Sequence, residues 1–270
     1  MTYNITSRIL PNAQLPYNVV KNTFEKRNKI AGQKSLEFYK EISKECKDGV
    51  YSIPRIKKCI DKIFAPHKLN YIIKKESKES YSGRFGNIIT TDKNNSELVY
   101  KGFVFNLPIK KGTDEIENKY TLLHEFRHMA DYLYNPKIKM HRINNLIGNE
   151  EYAQYTDYLK FKFLDTLPEE TTMEDFKNKA NEIINLLPRK IAIDCLQKIR
   201  NDIFTETNAY KNEIRFLFKD AKGYNDFQKG INLDACYEYG FQFEEKLKFA
   251  NAKLKELIQQ ERASLKEQFG

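Results

Sequence analysis

From about residue 17 to residue 49, Val20, Phe24, Ile30, Leu36, Tyr39 and Ile42 recur at helix-like spacings, with polar residues between them. The spacing predicts one or two amphipathic helices, and Gly32 marks a place where the run could break. The same period resumes at Ile56, Cys59, Ile60 and Ile63. Ser52 and Pro54 suit the start of this shorter helix and Pro66 its end. The pattern then changes: residues 70–73, 87–91 and 98–105 are rich in β-branched and aromatic side chains, and the polar segment 91–96 supplies turn chemistry. These runs predict a small, mostly antiparallel sheet.

Pro108 closes the third strand, residues 110–114 read as a loop, and a helix is expected from about Lys119 to Tyr134, ahead of Asn135-Pro136. Thr171, three residues before Glu174, has the form of a capping box for a helix running to about Leu187-Pro188. Ile191, Cys195, Leu196, Ile199, Ile203, Tyr210, Ile214 and Leu217 predict a further helix from about Arg189 to Lys219, with Gly223 as its terminator. A last helix fills the C-terminus. Its stretch 243–269 mixes Glu, Lys and Leu and reads as an exposed, charge-laced helix. The expected fold is therefore α+β and helix-dominated, a single domain over 1–270. Helices occupy 1–66, a small sheet and one helix 67–135, and a helical half 136–270.

Composition narrows the class without choosing a function. The 270 residues carry 46 basic and 37 acidic side chains, a net charge of +9. That balance permits attraction to phosphates, anionic lipids or acidic proteins. No nucleic-acid-binding signature accompanies the charge, so no nucleic-acid partner is expected. The opening residues lack an apolar signal-peptide core, and no later run approaches the roughly 18 apolar residues of a membrane span. Cys46, Cys59, Cys195 and Cys236 are scattered, with no CxxC pair, and read as free thiols in a reducing cytoplasm.

One motif carries chemistry. His124-Glu125-Phe126-Arg127-His128 is an H-E-x-x-H sequence inside the helix expected from about Lys119 to Tyr134. Residues four apart project from nearly one helix face, about 40° apart, so His124 and His128 can offer imidazole nitrogens to one Zn²⁺. Glu125 lies beside them, where a carboxylate can take a proton from metal-activated water and return it to a leaving amine. Only four histidines occur in the chain and two are used here. His67 reads as an ordinary loop residue.

At this motif the sequence resembles the zincin metallopeptidases, whose active-site helix carries H-E-x-x-H after a small sheet that binds extended substrate. The resemblance covers roughly Tyr71 to Lys219 and is specific in this one motif. The metzincin branch would place a Gly and a third His where this chain has Asp131 and Tyr134. The resemblance therefore implies a carboxylate as third ligand, as in gluzincins. Glu206, whose E-x-x-A setting is similar to the second active-site helix of small gluzincin-like families, is the first choice. Glu150 and Glu151 are rivals, placed about twenty residues after the second histidine. Asp131, one turn beyond His128, could ligate the metal or orient a histidine. Tyr210, one turn after Glu206, is the candidate donor to a developing oxyanion; His141 and Arg127 are weaker ones.

The expected function is zinc-dependent hydrolysis of peptide bonds in a protein or peptide substrate. His124, His128 and Glu206 hold the metal, Glu125 is general base and acid, and the strand from Val99 to Phe105 aligns substrate along its edge. Two other expectations stay open. One is a non-catalytic zinc-binding or basic module for an anionic partner; the other is a metal-dependent hydrolase acting on a non-peptide bond.

Overall fold

The structure is a computed structural model and describes residues 17–65, 69–75, 84–91, 98–134, 172–221 and 233–269. In chain order these form α1 (Tyr17–Glu45), α2 (Ile53–Phe64), β1 (Tyr71–Lys75), β2 (Arg84–Thr91), β3 (Leu98–Leu107), α3 (Lys119–Tyr134), α4 (Met173–Leu186), α5 (Arg189–Asp220) and α6 (Leu233–Phe269). The fold is α+β and helix-dominated.

α1 runs unbroken through Gly32. A glycine inside a helix costs about 1 kcal/mol against alanine. Here the missing side chain lets α1 lie close to α3, because a Cβ at Gly32 would meet the Arg127 guanidinium at 3.1 Å. α2 starts where expected, yet Ser52 makes no side-chain cap. The Ile53 N–H instead donates to the Asp114 carbonyl at 2.9 Å, and Pro54 has no N–H to satisfy. α4 is capped by Thr172 rather than Thr171: the Thr172 hydroxyl accepts from the Asp175 N–H at 3.1 Å, and Thr171 lies outside the described residues.

The sheet is mixed, and the longer of its two pairings is antiparallel. Its order is β1-β3-β2, with β2 antiparallel and β1 parallel to the central β3. After β1 the chain takes the far edge as β2 and returns through the middle as β3. Two reversals leave β3 pointing the same way as β1. Phe103, Phe105 and Leu107 alternate along β3 and are fully buried, as a strand period of two requires. Gly102 sits where β2 skips a register position, and a Cβ there would lie 2.4 Å from the Asn70 carbonyl oxygen. Only glycine lets β1 begin pairing at that point, with the Phe103 N–H donating to the Asn70 carbonyl at 2.8 Å.

The sheet, α1 and α2 close over α3. Phe126 stacks on Phe38 at 3.8 Å between ring centroids and packs against Phe64 at 5.4 Å, while Phe103 meets Tyr132 edge-on at 5.3 Å. Asn118 caps α3 by accepting from the Tyr120 N–H at 2.9 Å. α5 passes through several clusters. Near its start, Ile191, Cys195 and Leu196 pack with Ala180 and Ile183 of α4 and Leu254 and Leu257 of α6. Ile203 joins Phe176, Phe243 and Ala250, and Phe216 enters the core around α3. α6 is therefore not the wholly exposed helix its composition predicted: Phe243, Ala250, Leu254 and Leu257 are buried, and Lys246 is buried with them.

Cys46, Cys59 and Cys195 are buried free thiols. Among the described residues no helix is long and apolar enough to cross a membrane.

Asp220, at the end of α5, accepts from Tyr39 of α1 at 2.5 Å and from Tyr120 of α3 at 3.0 Å, and pairs with Lys119. Burial opposes its charge, but these donors hold its pKa below the ordinary 3.8. A pKa lowered by folding stabilises the native state above the unfolded value, and that stability is lost as pH falls through the folded value. Asp220→Asn is expected to cost about 1–2 kcal/mol at neutral pH. Chemical denaturation of both proteins should show the difference shrinking as the pH drops below about 4.

Candidate metal centre

α3 is buried on nearly every side: Leu122, Leu123, Phe126, Met129 and Ala130 are fully buried, and His124, Glu125, Arg127 and Asp131 are buried among them. Ionisable groups in such a place need partners, because an unpaired buried charge is costly. α5 supplies most of them. It presents Glu206, Ala209, Tyr210 and Glu213 at positions i, i+3, i+4 and i+7, which lie along one stripe of an α-helix.

The two histidines of α3 turn the same ring nitrogen toward one carboxylate. His124 Nε2 lies 3.2 Å from one Glu206 oxygen, and His128 Nε2 lies 3.2 Å from the other. One donor atom from each of these three residues lies within 4.8 Å of the other two, the one such cluster among the described residues. A four-coordinate ion with bonds of about 2.0–2.1 Å needs neighbouring ligand atoms about 3.3 Å apart. Each nitrogen lies near that distance from its own oxygen of the Glu206 carboxylate, so the three residues could hold a metal ion.

His124 uses both of its ring nitrogens. Its Nδ1 faces Glu213 at 3.1 Å, the kind of outer hydrogen bond that fixes which nitrogen a metal-binding imidazole presents. Burial disfavours a charged His124, but hydrogen bonds to Glu206 and Glu213 overcome this and raise its pKa well above 6.5. His128 is raised as well, with Glu206 outweighing burial. Burial works against the Glu206 charge too, and the two imidazoles reverse it, leaving that carboxyl far below the usual range. The cluster is thus a carboxylate held between two imidazoles whose protonated forms it favours.

Glu125 is buried beside the histidines, and burial raises its pKa despite the opposing pull of His124 and His128. A carboxyl shifted upward holds a proton more readily than an exposed one, which suits a group that accepts and returns a proton. The Tyr210 ring stands edge-on to His124 at 4.6 Å and stacks on Phe243 at 5.6 Å, which places it at the centre of the stripe.

Two suggested roles change. Asp131 is not in the three-residue cluster: its Oδ2 accepts from Arg127 Nε at 3.0 Å and from Asn208 Nδ2 at 3.2 Å. Arg127 also donates to the Asn28 side-chain oxygen at 2.5 Å, so its guanidinium serves the α1–α3 contact rather than the cluster. His67, His141, Glu150 and Glu151 lie outside the described residues. Of the strand expected to align substrate, Val99 to Phe105, only the part before Phe103 lacks β1 as a partner. β3 is paired on both sides over residues 103–106, so it has no open edge there. β2 has no further strand on its outer side among the described residues, and its Phe85 ring lies 6.5 Å from the His128 ring.

Sequence reasoning missed Glu213, Asn28, Asn208 and Phe85. Glu213 had a readable signal, a second carboxylate two turns beyond Glu206 on the same face. The asparagines had none, because their partners come from other helices. Compared with family models, curated proteins and solved structures, the chain matches none.

Removing the Glu213 carboxylate with Glu213→Gln is expected to weaken metal binding by about 10- to 100-fold, measured by competition with a chelating dye. A metal held by these residues would have to displace the protons that Glu206 favours on the two histidines. Affinity in the parent protein should therefore fall as the pH is lowered from 8 to 5, and calorimetry in buffers of different ionisation enthalpy should register proton release on binding.

Proposed function

We propose that the protein is a zinc-dependent peptidase of the gluzincin-like zincin type, with His124, His128 and Glu206 as its metal ligands. The observation that carries this reading is the meeting of His124 and Glu206, 82 residues apart in the chain, around an H-E-x-x-H helix. Two imidazoles and one carboxylate are a ligand set typical of catalytic rather than closed structural zinc sites.

Bound there, zinc would act as a Lewis acid toward the scissile carbonyl and lower the pKa of an attacking water. Glu125 would take the proton of that water and pass it to the leaving amine. Its burial beside the histidines suits both halves of that task. Tyr210 would hold the developing oxyanion through its hydroxyl, and its ring contacts with His124 and Phe243 limit where that hydroxyl can go. β2 would receive an extended substrate by adding backbone hydrogen bonds along its outer edge, with Phe85 beside the cluster.

The parent protein, purified without chelator or His tag, is expected to hold about one zinc per chain by elemental analysis, and Glu206→Ala to lose it. Glu125→Gln is expected to keep the zinc and to lose at least about 100-fold in cleavage of an unfolded protein substrate. No zinc uptake by the parent would overturn the reading, as would full proteolysis by Glu125→Gln.

A further inference from the structure

Behind the cluster, four side chains from three helices close a ring of hydrogen bonds. Arg127 of α3 donates from Nε to Asp131 Oδ2 at 3.0 Å and from Nη2 to Asn28 Oδ1 of α1 at 2.5 Å. Asn208 of α5 donates from Nδ2 to the same two oxygens, each at 3.2 Å. Two donors thus share two acceptors. Asp131 is fully buried and Arg127 is 6% exposed.

A buried ion pair is weak evidence for stability, because removing both charges from water costs about as much as their attraction returns. Its directional bonds are better suited to fixing the relative placement of the elements that carry them. Asn208 is two residues beyond Glu206, Arg127 immediately precedes His128, and Asp131 is three residues after it. The ring therefore joins the two ligand-bearing helices immediately beside the ligands.

The spacing of the α3–α5 contacts makes the same point. Lys119 pairs with Asp220 at one end of the helix pair, and Asp131 bonds Asn208 at the other. Both stretches, 119–131 on α3 and 208–220 on α5, rise about 18 Å at 1.5 Å per residue. The two helices are thus tied in an antiparallel register at two points, and the contact of His124 with Glu213 falls between them.

We propose that Asp131, Asn208, Arg127 and Asn28 are positioning residues for the metal centre: their ring holds α5 in the register at which Glu206 reaches both imidazoles. This inference rests on the metal-binding reading above. It gives α1, which contributes no ligand, a share in the affinity of the site through Asn28.

The test measures zinc affinity by chelator competition together with thermal unfolding of the metal-free protein. Asn208→Leu keeps the volume of the side chain and removes the donor, and is expected to weaken zinc binding at least about tenfold while the protein stays helical. Asn208→Gln keeps an amide donor at this position, and is expected to bind zinc more tightly than Asn208→Leu. Ile183→Ala, in the separate cluster of α4, is expected to lower the unfolding midpoint without changing zinc affinity. If Asn208→Leu does not fold, Asn28→Ala, which removes the acceptor shared by Arg127 and Asn208, is read in the same way. Parent-like zinc affinity in Asn208→Leu or its substitute would overturn the positioning role alone. So would an affinity loss that Ile183→Ala reproduces or that Asn208→Gln shares in full. A parent protein that takes up no zinc would overturn the metal centre and the positioning role together.

Discussion

The structure depends on the burial of α3. A helix packed on nearly every side would ordinarily be apolar all round, yet this one carries His124, Glu125, Arg127 and Asp131 within two turns. Each must find compensation from its surroundings, because water is not there to provide it. Leu122, Phe126, Met129 and Ala130 anchor the helix in the core; the ionisable side chains then dictate what its neighbours must present. α1 answers with Asn28, and α5 with Glu206, Asn208 and Glu213.

α5 meets this demand because of its length and its changing company. Its first turns belong to a cluster with α4 and α6, its middle is polar on the face toward α3, and its last turns return to apolar packing through Phe216 and Leu217. Along the middle, Glu206 and Glu213 are about 10 Å apart at 1.5 Å per residue. The His124 ring fits lengthwise between them, one nitrogen to each carboxylate. A single imidazole thus links the inner carboxylate, which it shares with His128, to the outer one that orients it.

The charges of the cluster depend on one another. Two imidazoles pulled toward their charged forms, and a carboxylate held ionised between them, place protons at the positions a metal would take. A divalent ion held there would have to displace those protons, which links occupancy to pH. Phe85 and Tyr210 add aromatic surface on two sides.

Much of this was legible from the chain alone. Periods near 3.6 located α2, α3, α4 and α5 to within a few residues, and the change to β-branched runs located the strands, because side-chain projection follows backbone geometry whatever the partners are. The spacing of His124 and His128 is likewise a local property, fixed by one helical turn. Glu206 could be singled out as the candidate third ligand only through resemblance, and Glu213 only as a second carboxylate on the same helix face, since nothing local says which two helices will touch. The mixed sheet order, the central place of β3, the buried face of α6 and the ring of Asn28, Arg127, Asp131 and Asn208 were also decided by tertiary packing. Those features join residues far apart in the chain. Helical periodicity says which face a residue occupies, and only the burial of α3 against α1, α5 and the sheet says what that face meets.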